Sequence, residues 1–361
     1  MCIRDRRGIF TGIAGIGGEG ELRAIFEPGF HRSAESHALA LAALNTASAS
    51  RRVKPEGDLA AVLRSALRSD QTELSEQALG LIGQWRVADL HDDVASLVDD
   101  NQSVGAIRLA AVRALGLLGG DDTKRLAKLI DYGDATEELK LAALESLSRL
   151  NLSTAADHGA RLLVGGVDSA GILAPFLKRE GGGRALTAAL AKRKLEAGPA
   201  AAALAKLQSL GSSDIELMNF LSQTAGINNT VPAYSAEFVA ALAKESTKGN
   251  TVNGRQMFQT AGCAVCHKIG PAINNGIPFI GPELDTIGNT LSTERIIEEV
   301  LWPGRHVKEG FSLMQVTTRS GTIHQGYEQR SRSKDILILS LIHISEPTRP
   351  LYISYAVFCL K

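Results

Sequence analysis

Two thiols and one imidazole fall within five residues in Cys263-Ala264-Val265-Cys266-His267. Thiols separated by two residues can each add across one of the two vinyl groups on adjacent pyrroles of a porphyrin, and the next residue then carries its imidazole beneath the iron. That chemistry is covalent haem attachment, with Cys263 and Cys266 as the sulfur donors and His267 as the proximal ligand. Zinc is the first competitor. A lone Cys-x-x-Cys supplies two of four tetrahedral ligands, and no second such pair or close pair of histidines follows it. A redox dithiol is the second competitor, and it calls for a βαβ setting, whereas this segment follows a helical stretch. The spacing favours haem, with zinc and a dithiol as alternatives.

The flanking sequence supplies elements that could hold such a site. A short helix is expected from Asn253 through Phe258, ending just before Gly262 and leading straight into the cysteines. Phe258 reads equally well as a residue beside the site or as ordinary core. Further on, Ser292 is a helix cap for a segment that Pro303 must stop, and two strand-like runs flank Arg319-Ser320-Gly321. One more helix is expected from about Ser235 to Lys244, with Ser246 to Asn250 as a linker and a boundary near 248.

Upstream of that boundary the chain repeats itself. Ile107, Ala111, Ala114, Leu115 and Leu118 sit at offsets 0, 4, 7, 8 and 11, the apolar stripe of a helix. A shift of 32 residues gives Leu139, Ala143, Ser146, Leu147 and Leu150, and turns Val94, Leu97 and Val98 into Leu126, Leu129 and Ile130. An earlier copy, Ala78 to Gly83, matches Ala114 to Gly119 at a spacing of 36. Paired helices recurring at 32 to 36 residues indicate an α-solenoid, whose units bury their apolar faces against one another. The Trp, Tyr and Pro signature of tetratricopeptide repeats is missing, so the array is HEAT-like, with an irregular helical bundle as the alternative. Gly165-Gly166 and Gly181 to Gly183 read as inter-helix turns, having no strand-to-helix context that would cradle a phosphate. Before the repeats lie a Gly-rich stretch, Gly15 to Gly20, and a helix-like run, Ser36 to Ala47.

Composition agrees with helices and excludes several classes. The 361 residues are 44% hydrophobic but 5% aromatic, a poor basis for a β-sandwich or a base-stacking surface. Lys and Arg number 39 against 39 Asp and Glu, so no broad field for nucleic acid or an anionic membrane is expected. The longest apolar run, Ile336 to Ile344, is interrupted by Ser340 and His343 and falls well short of the roughly 18 residues of a membrane span. The remaining cysteines, Cys2 and Cys359, sit at the extreme ends. Residues 1–6 (MCIRDR) and 340–361 resemble translated sequencing-adapter sequence and are expected to be foreign to the natural chain and to its fold.

Taken together, CAVCH at 263–267, Gly281-Pro282-Glu283-Leu284 and the segment Ile296 to Tyr327 resemble the haem-binding cytochrome c domain of planctomycete and verrucomicrobial type, a class often joined to HEAT-like repeats. The resemblance implies a mainly α protein: a HEAT-like α-solenoid, then a C-terminally truncated cytochrome c-like helical domain carrying a β-hairpin insertion. The expected organisation is 7–57 as the tail of an upstream region, 58–247 as repeats and 248–339 as the haem domain. It also implies haem c as cofactor, and a carbonyl of Pro282 accepting the Nδ1 proton of His267. Family members place a distal Met late, before a C-terminal helix. No Met follows Met314, which reads as packing in the first hairpin strand, with His306 and His324 as substitutes that read better as exposed histidines.

Three functions are compatible with these features. The first is an electron-transfer module on a helical scaffold, with a redox protein as donor or acceptor. The second is a fragment of a sugar or alcohol dehydrogenase whose catalytic β-propeller lies upstream, with haem as its built-in acceptor. The third is a scaffold in which the solenoid binds a protein partner and the haem is sensory or structural. No carboxylate pair or Ser-His-Asp set calls for catalysis within this chain. Thioether formation implies a periplasmic or otherwise extracytoplasmic site. Between Asn250 and Leu339, nine Lys and Arg stand against eight Asp and Glu, a net of +1 that sets no docking polarity.

Overall fold

The computed structural model describes residues 3–51, 53–210, 214–227, 233–261, 263–270, 281, 283–306, 313–318, 321–332, 335–340 and 357–359. Among them the protein is mainly helical and divides into two compact units: Met1–Val167 with Ala188–Arg193, and Asp168–Thr187 with Lys194–Lys361. The division falls inside the stretch read from the sequence as one run of repeats.

The first unit is α-solenoid-like. Its helices are α1 (Ile3–Ile16), α2 (Glu19–Phe26), α3 (Ala34–Arg51), α4 (Leu59–Leu67), α5 (Thr72–Trp85), α6 (His91–Asp99), α7 (Gly105–Leu118), α8 (Thr123–Asp131), α9 (Glu137–Leu150) and α10 (Leu152–Val164). The odd-numbered helices stack in order, α1 on α3, α3 on α5, α5 on α7 and α7 on α9, while α4, α6 and α8 each cover the helix that follows. Caps start the helices where the sequence offers acceptors: the Asp58 carboxylate takes the Ala61 amide, Thr136 takes Leu139 and Asn151 takes Thr154. The shifted stripe is the core. Ala111, Ala114 and Leu115 of α7 and Leu139, Ala143, Ser146 and Leu147 of α9 are all buried. Residues 7–57, expected to be an upstream tail, belong to this unit, with Phe10, Leu22, Ile25, Phe26, Leu41 and Leu44 in its core. Packing of those large side chains overrides the low helix propensity of Gly8, Gly12 and Gly15 in α1.

The second unit opens with α11 (Ser169–Leu177) and continues through α13 (Ala197–Ser209), α14 (Ile215–Thr224), α15 (Ala236–Ser246), α16 (Thr251–Thr260), the single turn α17 (Cys263–Cys266), α18 (Ile287–Thr290) and α19 (Thr293–Leu301); α12 (Gly182–Ala191) crosses between the two residue sets. Helix α13 packs on α11 and α14, and α15 packs on α19. The Ser292 hydroxyl caps α19 by accepting the Arg295 amide, and the helix ends before Pro303. Strand β1 (Leu313–Thr317) pairs antiparallel with β2 (Ile323–Arg332), the hairpin expected from the sequence, with Gly321 at φ +72 in the turn. The sheet goes further than that expectation: β3 (Asp335–Ser340) joins β2, and β4 (Val357–Cys359) joins β3. At its turn the hairpin meets the loop after α11. The Glu180 amide donates to the Gly321 carbonyl at 2.8 Å and the Ile323 amide to the Lys178 carbonyl at 2.9 Å.

Candidate functional site

The site grows from the end of α16. The Asn250 side chain accepts the amides of Val252 and Asn253, which fixes where α16 begins. One helix turn after α16, the backbone of residues 263–266 is helical again as α17, and α16 packs against it. The His267 amide donates to the Cys263 carbonyl at 2.9 Å, so the turn extends to the histidine. Residues three and four apart lie on one helix face, and that relation joins Cys263 to Cys266 and to His267. The Cys263 thiol is free and exposed.

A clasp downstream closes the segment. Lys268 accepts the Leu284 amide at its carbonyl (2.9 Å), and its Nζ reaches Glu283 Oε1 at 2.5 Å. Two residues on, the Gly270 amide donates to the Asp285 carboxylate. That hydrogen bond holds the Asp285 carboxyl below its ordinary range, and the Glu283 contact raises the Lys268 ammonium. Gly270 has φ +77, a left-handed conformation that a side chain would strain. Nothing in the residue spacing pointed to this clasp; only the pairing of 268–270 with 283–285 reveals it.

The expected Pro282 lies outside the described residues, although Gly281 and Glu283 beside it lie within them. Met314 stands in β1 opposite Gly326, and His324 in β2 opposite Val316. His306 Nε2 faces Glu298 Oε2 at 3.6 Å, and Glu298 also accepts the Tyr234 hydroxyl at 2.8 Å. The apolar side chains around the turn are open to solvent: Val252 is 74% exposed, Met257 62% and Ile269 53%, and α16 buries none of its residues. Among the described residues no three His, Cys, Asp or Glu side chains gather to hold a metal ion, and no helix is long and apolar enough to cross a membrane.

No family model, curated protein or solved structure matches the chain.

Proposed function

We propose that residues 248–339 form a c-type cytochrome module that carries electrons, borne on a HEAT-like helical scaffold. The observation that carries this reading is the CAVCH turn: two thiol-bearing positions and an imidazole on one helical turn at the end of α16. The donor set fits haem c. Cys263 and Cys266 would hold the group by adding their S–H bonds across its vinyl groups, and His267 would be the proximal ligand. When bound, the haem iron supplies a one-electron couple. The chain's own part is to hold and shield. The clasp of Lys268 and Gly270 to Glu283 and Asp285 keeps the segment after His267 in place, and a Pro282 carbonyl accepting from the imidazole would fix its tautomer and raise its basicity. Exposed Val252, Met257 and Ile269 are apolar surface of the kind a porphyrin face covers favourably. The implied setting is extracytoplasmic, and the implied partner is a redox protein.

The full chain, expressed with c-type maturation factors, should keep its haem through acid-acetone extraction. Cys263→Ser should leave a single thioether by mass spectrometry, and His267→Ala should change the iron's axial ligation in the visible spectrum. Haem that extracts freely, or a purified protein holding zinc and no iron, would overturn the reading.

A further inference from the structure

Helix α2 ends at Phe26, and the last carbonyls of any helix lack intrahelical donors. Two histidines supply them here. His31 Nε2 bonds the Ile25 carbonyl at 2.8 Å, and His37 Nε2 bonds the Phe26 carbonyl at 3.0 Å. A carbonyl only accepts, so both rings carry their proton on Nε2. Their centroids are 4.7 Å apart at an interplanar angle of 18°, a stacked pair. His31 Nδ1 then accepts the Ser36 hydroxyl proton at 3.3 Å. Phe10 of α1 and Phe30 of the 3₁₀ turn Pro28–Phe30 make T-shaped contacts with His31.

We propose that this pair is an acid-sensitive latch: with both rings neutral it fastens α1 and α2 to α3, and protonation of the stack releases them. A second positive charge would arise 4.7 Å from the first, in a place half closed to water. The surroundings offer little relief. Just past the end of α2, Glu27 is the nearby carboxylate and is already paired with Arg23; on α3 the first turn carries Glu35; the intervening loop carries Arg32. Helix α1 presents Phe10, α4 presents Ser65 and Ala66, the loop after it Ser69, and α5 Leu74. A cleft of about 400 Å³ bordered by His31, His37, Arg32 and Ser33 lets protons reach the rings.

Burial is the main cause that lowers both imidazoles below 6.5, and His31 lowers His37 further. The sign follows. The unfolded or opened segment takes up protons near 6.5 and the closed one resists them, so closure is complete above 6.5 and weakens as pH falls below it.

Hydrogen exchange of the full chain, corrected for intrinsic rates, tests the latch. Protection of amides in residues 10–26 should fall at least tenfold between pH 7.5 and 5.0, while amides of α7 and α9 change less. The double variant His31→Gln and His37→Gln, whose side-chain amides still donate but do not titrate, should lose the pH dependence. An equal loss in α7 and α9, or the same loss in the double variant, would overturn the proposal. Should that variant fail to fold, NMR titration of the unmodified chain decides instead: both imidazoles titrating below 6.5 sustains the latch, and either titrating above 6.5 removes it.

Discussion

At the scale of single residues, Gly116 of α7 lies directly against Ser146 of α9. A Cβ at Gly116 would stand 2.6 Å from the side chain of Ser146 and 2.7 Å from its Cα, so α9 itself would have to move. Gly116→Ala should therefore cost about 1–3 kcal/mol, the usual penalty of overpacking. Gly105, at the start of α7 with open space around it, is the control, and its replacement by Ala should be neutral or slightly stabilising. Urea unfolding midpoints of the two variants check this; equal midpoints would contradict the packing described. Ser146 also shows where the sequence can be read and where it cannot. Its place in the 32-residue stripe marks it as buried, which it is, but its hydroxyl bond to the Val112 carbonyl at 2.9 Å depends on which helix lies opposite. The same holds at the candidate site. The relation of Cys263 to His267 follows from spacing alone, whereas the clasp from Lys268 to Glu283 needs the chain to return.

At the scale of elements, ion pairs connect successive helix pairs: Arg64 with Asp93, Arg125 with Asp99, Arg161 with Asp131, and Arg193 with Asp157. Their side chains remain partly exposed, and such pairs contribute modestly each. Arg161→Gln should cost under about 1 kcal/mol, an amount that shrinks in high salt. Asp122 differs, because its carboxylate is 1% exposed and receives both His91 Nε2 at 2.7 Å and Arg125. Asp122→Asn should cost roughly 2–3 kcal/mol, since it removes the buried carboxylate that receives both the Arg125 guanidinium and the His91 imidazole. The Asp122 hydrogen bond raises His91, so this contact stabilises fully below 6.5 and weakens as pH rises through the higher folded value. Thermal scans of both variants from pH 5 to 8 separate the cases, and an Asp122→Asn chain as stable as Arg161→Gln would refute the distinction. Periodicity made α6 to α9 legible. It did not reveal α1 and α2, whose glycines hide helices that exist because Phe10, Leu22, Ile25 and Phe26 find a core. Nor does it reveal β3, whose residues stand out in the sequence only as part of an apolar run too short for a membrane span.

At the scale of the whole molecule, packing joins residues on both sides of the border expected near 248. Trp302, just after α19, makes T-shaped contacts with Tyr234 and Phe238, and Arg305 lies 3.5 Å over the Tyr234 ring. Those aromatic residues precede the linker at 246–250 that the sequence suggested as a domain border. A fragment of residues 233–340 should therefore outlast one of 248–340 in denaturant. Trp302 is the sole tryptophan of both fragments, and its emission should lie further to the red in the shorter one. Identical spectra and midpoints would restore the border near 248.

The bridge between Arg179 and Thr322 imposes an order on synthesis. In the first unit each helix meets neighbours already made, so that unit can assemble as the chain leaves the ribosome. The loop after α11 must wait for the hairpin turn. At the usual elongation rate of about 5–20 residues per second, that wait lasts roughly 7 to 30 s. During it, the Lys178 carbonyl and the Glu180 amide await the partners they take in the finished fold and could be taken by another extended segment, so this loop is a nascent-chain vulnerability that the mature fold conceals.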